Sequence, residues 1–233
     1  SSKPRILEFG CGTGLTLAAL SPDAEVFGMD ASPKALEYCR KRELTRLHLI
    51  DTNKPLPEAN PFHESFDLIL LLDVLEHLDD EIAVLQSLRS WLRPGGALIA
   101  AVPAFSWLWS GEDAVSHHRR RYTQKSLRRT LHSAGFRTIR DTYFNFFLFP
   151  LQAGVIFANR IFRPRTLHQS NLTPLPFGLN SLLTCIMASE RHVLKYVNLP
   201  VGGSVLSIAE PSSHSLPPYG RARGDNSKKG LNS

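Results

Sequence analysis

A glycine-rich segment near the start of the chain carries the clearest chemical signal. The segment reads Ile6-Leu7-Glu8-Phe9-Gly10-Cys11-Gly12-Thr13-Gly14, so a predicted strand runs into a turn with glycines at 10, 12 and 14. Glycine lets a backbone approach a ligand closely and adopt positive φ, and a helix predicted from about Leu15 offers unpaired N–H groups at its start. The G-x-G-x-G spacing differs from the dinucleotide fingerprint G-x-G-x-x-G.

Two carboxylates accompany this turn. Glu8 precedes the first glycine by two residues, and Asp30 closes the second predicted strand, 20 residues after Gly10. A carboxylate at that strand end can accept hydrogen bonds from both hydroxyls of a ribose. A glycine triplet by itself can be a structural turn. The turn, the strand-end acid and the spacing of a βα unit together favour a ligand site.

The elements that must position these residues alternate along the chain. Short apolar runs are separated by amphipathic stretches, which is typical of βα units around a parallel sheet. Five strands are predicted: Arg5–Phe9, Glu25–Met29, Leu47–Ile50, Phe66–Leu72 and Ala97–Val102. Helix starts are predicted at Ser32-Pro33, at Asp79-Asp80-Glu81 and at Thr123. The composition of Leu92–Gly96 predicts a Pro/Gly turn. Gly135 is predicted to end a helix in the left-handed conformation, before a strand that begins at Phe136.

Composition places the chain among ordinary globular proteins. Its 233 residues include 27 Lys and Arg against 21 Asp and Glu, a formal net charge of +6, with 42% hydrophobic and 21% charged residues. Half of the excess charge lies in residues 211–233, a Ser-, Pro- and Gly-rich tail that we predict to be basic and disordered. We therefore expect a folded domain over residues 1–210, and the net charge is weak evidence for a nucleic-acid partner.

Cysteine usage and the chain start add two expectations. Cys11, Cys39 and Cys185 are odd in number and widely spaced, which indicates neither a disulfide framework nor a zinc knuckle. We predict no metal site and expect a reduced, cytoplasmic location. The chain begins at Ser1 instead of Met, so we expect a fragment or a trimmed form.

One apolar stretch, residues 143–162, raises the question of a membrane. A spanning helix needs about 20 apolar residues, and this stretch is interrupted by Asn145, Pro150, Gln152, Asn159 and Arg160. We predict a strand, a break at Pro150 and a short apolar helix. Contact of this stretch with a membrane surface is a second interpretation, which would make the protein peripheral to the membrane.

The motifs in order resemble the class I S-adenosylmethionine-dependent methyltransferases, close to the groups called methyltransferase type 11 and type 12. The resemblance rests on Glu8–Gly14 with Asp30, Phe66-Asp67-Leu68-Ile69, Leu72–Leu78, Leu92–Leu98, His118–Thr123 and Ala134-Gly135-Phe136. It implies an α/β, doubly wound, mostly parallel seven-stranded sheet of Rossmann-like type. A helical insertion at about 150–198 would precede the last, antiparallel strand, which falls within residues 199–209.

The resemblance also implies roles for individual residues. Glu8 and the loop of Gly10, Cys11, Gly12 and Gly14 would hold the methionine end of S-adenosylmethionine. Asp30 would bind the ribose, Ala31 and Ser32 would lie beside the adenine, and Asp51 would face the adenine amino group. Leu72 and Asp73 would lie under the sulfonium, and S-adenosylhomocysteine would be the second product. Family members carry a helical segment ahead of the first strand, which we expect to be missing from this chain.

Three histidines are candidate catalytic bases. A base is needed only when the acceptor must lose a proton as it attacks, and imidazole titrates near neutrality. His77 follows the fourth strand, and His117 and His118 lie in a long connection expected over the strand ends. Each is also a plausible surface or hydrogen-bonding residue. The sequence lacks the Asn/Asp-Pro-Pro-aromatic turn that enzymes methylating exocyclic amines of nucleic-acid bases share after the fourth strand. It also lacks a cysteine placed beside the acceptor, which methylation of cytosine at C5 requires.

The basic block Arg119-Arg120-Arg121 leaves the acceptor open. It can be a solvated helix start, a site for an anionic acceptor such as a nucleotide-linked sugar or phosphorylated lipid, or an RNA contact. The nearby Trp107, Trp109 and Tyr122 can stack on an acceptor or pack a lid. We predict methyl transfer to an oxygen or nitrogen of a small, lipid-linked or nucleotide-linked acceptor. The alternatives are an RNA methyltransferase that uses the basic block and a catalytically idle cofactor-binding regulatory protein.

Overall fold

The computed structural model describes residues 3–51, 56, 62–162 and 177–213. Its strands are β1 (Arg5–Phe9), β2 (Glu25–Asp30), β3 (Leu47–Leu49), β4 (Phe66–Leu72), β5 (Leu92–Pro103), β6 (Phe136–Phe144) and β7 (Ser204–Pro211). Its helices are α1 (Leu15–Leu20), α2 (Pro33–Lys41), α3 (Glu81–Trp91), α4 (Gly111–Val115), α5 (Gln124–Ser133), α6 (Phe149–Phe162) and α7 (Phe177–Leu194), with a 3₁₀ turn at Ser106–Leu108.

The strands form one sheet in the order β3-β2-β1-β4-β5-β7-β6. Strands β1 to β5 pair in parallel, whereas β7 runs antiparallel to both β5 and β6. The chain order reverses between β1 and β4, and such a switch point is where open α/β sheets bind ligands, beyond the carboxyl ends of the strands. The predicted fold class is confirmed.

The sheet is buried on both faces, as expected for parallel strands. Leu7, Ile69 and Leu71 face a large cluster that also holds side chains of α3 and α5. Ile6 and Leu70 point to the other face and pack with partly buried neighbours. Alternate residues of β1 and β4 therefore anchor opposite layers, which fixes the register of the two strands that border the switch point.

The predicted helix starts are present. Ser32, Asp80 and Thr123 each accept a hydrogen bond from the backbone N–H three residues later, at 3.2, 3.0 and 3.1 Å, and they cap α2, α3 and α5. Pro33 occupies the first turn of α2, where its missing N–H costs nothing. Gly135 has a φ of 86° after α5, as the sequence predicts.

The Pro/Gly segment Leu92–Gly96 differs from the predicted turn, because it belongs to β5. β5 begins at Leu92, and its register with β4 shifts from the pair Phe66 and Leu92 to the pair Leu68 and Ala97. Residues 93–96 therefore bulge from the ladder instead of forming a separate turn. The φ of 80° at Gly95 permits this bulge.

The apolar stretch 143–162 contains the end of β6 and the whole of α6. Pro150 lies in the first turn of α6, so it begins the helix instead of interrupting it. Helices α6 and α7 lie between β6 and β7, where the helical insertion is predicted. None of the helices in the described ranges combines the length and the hydropathy needed to cross a bilayer. Most of the predicted basic tail, residues 214–233, lies outside the described residues, so its disorder and the domain boundary stay predictions.

Candidate functional site

The glycine turn lies at the carboxyl edge of the sheet, against the end of β2. The backbone N–H groups of Gly10 and Cys11 both donate to the Met29 carbonyl, at 2.7 and 2.9 Å. These bonds hold the turn over the last residues of β2, so Asp30 comes next to the turn although 20 residues separate it from Gly10. The sequence-predicted constellation is thus assembled at the switch point.

Asp30 connects this turn to the start of α2. One carboxylate oxygen accepts from the Gly12 N–H at 2.8 Å and the other from the Ser32 N–H at 2.8 Å. A carboxylate offers about four lone-pair sites, so both oxygens can still accept ligand hydroxyls. The side chain is half-buried, and Ala31 and Ser32 beside it are exposed.

The three glycines of the turn have positive φ but different surroundings. A Cβ at Gly10 would lie 2.4 Å from a methyl of Val74, and one at Gly14 would lie 2.7 Å from a methyl of Leu44. Among the described residues, apart from its chain neighbours, a Cβ at Gly12 would meet nothing within 4 Å. Gly10 and Gly14 are therefore required for packing, whereas Gly12 borders open space that a ligand can fill.

The Cys11 side chain turns away from that space. Its thiol is buried, 4.0 Å from the Cys39 sulfur, and the Cys39 thiol donates to the Gly12 carbonyl at 3.2 Å. Burial raises the pKa of Cys11 far above its usual range. Only the backbone of Cys11 is thus placed to contact a ligand, and the pairing of two widely spaced cysteines was not evident in the sequence.

Glu8 is a buried carboxyl directly beneath the turn. Its side chain is 3% exposed, and one of its oxygens has no hydrogen-bond partner among the described residues. Burial, with the nearby charge of Asp30, raises its pKa to about 7 against the opposing effect of a hydrogen bond with Thr16. An incompletely paired carboxylate in this position is suited to a cationic or hydrogen-donating ligand group.

The other predicted cofactor residues lie at the ends of β3 and β4. Asp51 is exposed just after β3, and residues 52–55 after it lie outside the described ranges. Leu72 is the last residue of β4, and Asp73 follows it with a φ of 53° and donates its N–H to Ala101 on β5 at 2.9 Å. Burial raises the pKa of Asp73.

Beyond Asp73, a polar cluster is formed by Glu76, His77 and His118. One carboxylate oxygen of Glu76 and one ring nitrogen of each histidine lie within 4.8 Å of one another. The two imidazole rings are packed edge to face, with their centroids 4.7 Å apart. Glu76 is completely buried, and neither of its carboxylate oxygens finds a hydrogen-bond partner in the described part of the chain. Burial raises its pKa to about 8 and lowers that of His77.

A buried aspartate orients His118. Asp113 Oδ1 lies 2.8 Å from His118 Nδ1, and the Asp113 carboxylate also accepts from Arg121 at 2.7 and 2.9 Å and from the Ser110 N–H at 2.7 Å. Burial opposes ionisation of Asp113, but these hydrogen bonds outweigh it and lower its pKa. Glu76 and Asp113 were not predicted as site residues, because only the tertiary fold shows that they are buried.

His117, the third candidate, lies outside this cluster. It is exposed with a φ of 57°, and its backbone, with that of Ser116, hydrogen-bonds the His77 ring. The structure thus brings two of the three predicted histidines together.

The arginine block is engaged in internal contacts. Arg119 pairs with Asp79, Arg120 pairs with Glu81, and Arg121 pairs with Asp113. The three guanidinium groups also donate, in the same order, to the backbone carbonyls of His77, Leu78 and Ala104, at 3.0, 3.0 and 2.9 Å. These contacts tie the long connection to the segment after β4, which positions His118 beside Glu76.

An aromatic cluster borders the same segment. The Trp107 ring stacks on the rings of Phe157 in α6 and of Phe105, with centroid distances of 5.7 and 5.6 Å. The Phe105 ring in turn stacks on that of Tyr143, with a centroid distance of 5.0 Å. Trp107 is 40% exposed and Phe157 48%. Tyr122, by contrast, is buried in the core, so stacking on an acceptor is not available to it. The cluster joins α6 to the connection after β5.

Comparison with known proteins is consistent with this geometry. A family described as methyltransferase domain matches residues 1–140. A ubiquinone biosynthesis O-methyltransferase of Vibrio cholerae is 34% identical over 97 residues, which are 40% of this chain and 39% of that protein. A trans-aconitate 2-methyltransferase of Methylobacterium radiotolerans is 42% identical over 106 residues, 43% of this chain and 38% of that protein. The matched region thus spans about two fifths of these curated relatives.

Solved structures show the same fold. The crystal structure of an S-adenosylmethionine-dependent methyltransferase from Mesorhizobium loti superposes with a TM-score of 0.56 over 89% of this chain and 91% of that one, at 17% identity.

Proposed function

The chain belongs to the methyltransferase-domain family. From this premise we propose that it is a class I methyltransferase that uses S-adenosylmethionine and methylates an oxygen or nitrogen of a small or lipid-linked acceptor. The observation that carries the acceptor proposal is that one connection, between β5 and α5, contributes His118 to the polar cluster (Glu76, His77 and His118) and Trp107 to the aromatic cluster. A polar reacting group and an apolar body would each have a matching surface there.

The residues at the switch point fit S-adenosylmethionine. The incompletely paired Glu8 carboxyl suits an ammonium group, and the open space at Gly12 lets a ligand approach the backbone. Asp30 keeps acceptor capacity for ribose hydroxyls. When bound, S-adenosylmethionine supplies a methyl group on a sulfonium, and S-adenosylhomocysteine is the product. The chain's own task is to hold the acceptor in line and exclude water, which provides much of the acceleration in such a transfer.

The arginine contacts argue against the alternative acceptors. Phosphates of an RNA or of a nucleotide-linked sugar would have to displace Asp79, Glu81 or Asp113 from Arg119, Arg120 and Arg121. Arg121 is the least available of the three, because its side chain is almost completely buried against Asp113. A neutral or apolar acceptor needs no such exchange.

The exposed face of α6 supports a lipid-linked acceptor and contact with a membrane surface. Five apolar side chains of this helix are about half to four-fifths exposed: Leu151, Val155, Phe157, Ile161 and Phe162. Phe157 also belongs to the aromatic cluster, so the apolar surface continues toward the proposed acceptor site. A lipid chain would thus meet apolar surface from the site to the outer face of α6.

Two measurements test this function. Calorimetric titration should show binding of S-adenosylmethionine and S-adenosylhomocysteine. Transfer of labelled methyl to a panel of phenols, catechols, carboxylic acids and amines, with and without a prenyl chain, should give product with the apolar members. Binding without transfer to any member would favour the idle regulatory protein, and transfer to RNA alone would favour the nucleic-acid alternative.

A variant of Glu8 should show a characteristic pH dependence. The pKa of Glu8 is raised from 4.5 to about 7, so the folded protein binds the extra proton and wild-type stability falls as pH rises from about 4.5 to 7. This effect contributes up to about 3 kcal/mol. Glu8→Gln should remove that part of the slope and raise the unfolding free energy of the ligand-free protein at pH 7.5.

The same substitution should weaken ligand binding. Between pH 5.5 and 7.5, wild-type affinity for S-adenosylmethionine should rise as Glu8 ionises, by up to about tenfold per pH unit. The affinity of Glu8→Gln should be lower and nearly flat. Denaturant melts and calorimetry across this range measure both effects, with the exposed Glu37→Gln as control. Parallel profiles of wild type and Glu8→Gln would contradict the assignment.

Trp107→Ala tests the acceptor surface. Loss of the ring removes its contacts with Phe105 and Phe157, so kcat/KM for the acceptor identified in the panel should fall at least about tenfold, mainly through KM. The dissociation constant of S-adenosylmethionine should change less than about twofold, and Trp107→Phe should restore most of the activity. An unchanged acceptor KM would place the acceptor elsewhere.

A further inference from the structure

The cluster of Glu76, His77 and His118 combines three side chains of two donor types, carboxylate and imidazole, that bind cations. One carboxylate oxygen and two imidazole nitrogens lie within 4.8 Å of one another. Donors bound to one cation at about 2.1 Å are separated by roughly 3 to 4 Å, so small side-chain rotations would bring the three onto a common ion. His77 follows Glu76 in sequence, and His118 arrives from the connection after β5.

Glu76 supplies an independent indication that a ligand is expected. Its side chain is fully buried, and within the described residues neither carboxylate oxygen is hydrogen-bonded. Buried carboxylates are normally paired, hydrogen-bonded or bound to a metal. Here one carboxylate oxygen lies within 4.8 Å of a nitrogen of each of two histidines.

The surroundings hold both imidazoles in suitable orientations. Asp113 contacts His118 at Nδ1, which leaves Nε2 for the cluster, and Arg121 and Ser110 hold Asp113 in place. Backbone hydrogen bonds of Ser116 and His117 orient the His77 ring. A carboxylate on the far nitrogen of a histidine is the usual second contact of a metal-binding imidazole.

The charges around the cluster also favour a cation. The charged groups that act on Glu76 are Asp73, Asp113 and Arg121, so with Glu76 itself three carboxyls are opposed by one guanidinium. Asp113 is paired with Arg121, so Asp73 and Glu76 are the carboxyls that a cation at the cluster would face. A dication would stabilise the ionised form of Glu76, which burial disfavours.

We propose that Glu76, His77 and His118 bind one divalent first-row transition-metal ion, with open coordination positions toward the acceptor. Two imidazoles and one carboxylate favour ions such as Zn²⁺, Co²⁺ or Fe²⁺ over Mg²⁺ and Ca²⁺, which prefer all-oxygen sites. The sequence predicted no metal site, because its three donors become neighbours only when the connection after β5 folds over β4.

The assignment deepens the proposed function and rests on it for the role of the ion. A cation at this site would orient an acceptor hydroxyl and favour loss of its proton to water. Overall, the hydroxyl gains the methyl group and releases one proton, and S-adenosylmethionine becomes S-adenosylhomocysteine. The acceptor class is therefore narrowed to a hydroxyl compound, with vicinal hydroxyls as the best chelating case.

Metal titration of the full chain tests the site without any methyl donor. After treatment with a chelator, wild-type protein is titrated with CoCl₂, followed by absorption spectroscopy and calorimetry, and CoCl₂ is then displaced with ZnCl₂. We expect one equivalent of Co²⁺ with micromolar or tighter affinity and at least about tenfold weaker binding of MgCl₂. Glu76→Gln and His118→Ala should each weaken Co²⁺ binding at least about tenfold.

A histidine outside the cluster provides the matched control. His132→Asn changes an exposed histidine near the end of α5 and should change Co²⁺ affinity less than about twofold. Thermal melts verify that each variant is folded, and His77→Asn serves as a further ligand variant if Glu76→Gln does not fold. Absence of Co²⁺ and Zn²⁺ binding by the wild type, or unchanged affinity in folded ligand variants, would overturn the metal site.

The two proposals fail in distinguishable ways. If S-adenosylmethionine binds and hydroxyl compounds are methylated equally well before and after metal removal, the metal inference fails and the proposed function stands. If Co²⁺ binds through Glu76 and His118 but no methyl transfer occurs in the presence of metal, the site stands and the proposed function fails.

Discussion

Replacement of Asp30 by lysine is expected to abolish binding of S-adenosylmethionine. The carboxylate holds the glycine turn through the Gly12 N–H and the start of α2 through the Ser32 N–H, and it would accept the ribose hydroxyls. Two hydrogen bonds to a charged acceptor contribute about 3 to 6 kcal/mol, so affinity should fall at least about 100-fold. Calorimetric titration with S-adenosylmethionine and S-adenosylhomocysteine measures the loss.

Two companion variants separate ligand contact from loop disruption. Asp30→Asn keeps one acceptor oxygen without the charge and should show an intermediate loss of affinity. Asp23→Lys makes the same charge change at an exposed residue before β2 and should bind S-adenosylmethionine as the wild type does. Because both Asp30 variants also lose a partner for a backbone N–H, melting temperatures must accompany the titrations. Undiminished affinity in Asp30→Lys would show that the ribose assignment is wrong.

The second large effect is expected for Gly12→Val. A side chain at Gly12 would enter space where no described residue other than its chain neighbours comes within 4 Å of the Cβ, and this is where the backbone would approach the methionine end of S-adenosylmethionine. We expect affinity to fall about 100-fold or more, because the isopropyl group would occupy the ligand's place. The fold should survive, since no packed neighbour is displaced.

Gly95→Val is the matched control for backbone strain. Gly95 also has positive φ, 80° against 51° at Gly12, and its Cβ would likewise meet nothing within 4 Å. Both substitutions should therefore cost on the order of 1–3 kcal/mol of stability. Only Gly12→Val should weaken binding of S-adenosylmethionine, as measured by calorimetry beside thermal melts. Equal affinities in the two variants would show that the open space at Gly12 is not part of the cofactor site.

Both substitutions act at a site whose parts are all contributed by strand ends. The turn after β1, Asp30 after β2 and Asp73 after β4 meet at one edge because the strands that carry them are parallel neighbours. The proposed acceptor site needs a further element, the connection between β5 and α5, which brings His118 and the aromatic cluster over that edge. This division explains why methyl-donor binding and acceptor recognition should respond to different substitutions.

The geometry of the turn after β1 was predictable from the sequence because its signals are local. A glycine turn, a strand-end acid and a capped helix each depend on a few adjacent residues, so Gly10, Gly12 and Asp30 could be singled out by spacing and Ser32 as a helix cap. The alternation of apolar runs and amphipathic stretches likewise indicated βα units around a parallel sheet, and the family resemblance implied the doubly wound arrangement. The segment before β5 differed, since a bulge and a free turn share the same Pro and Gly composition.

The acceptor half depended on contacts between distant parts of the chain. The block Arg119–Arg121 looked available for phosphate in the sequence, but the fold pairs each arginine with an acid of another segment or of α4. Tyr122 looked like a stacking surface and is instead buried in the core. The sequence alone therefore determined the βα organisation and the glycine turn, because both follow from local geometry and periodicity. Only the tertiary structure decided which charges are neutralised, which carboxyls are buried without a partner and which histidines meet, because burial and pairing depend on residues far apart in sequence.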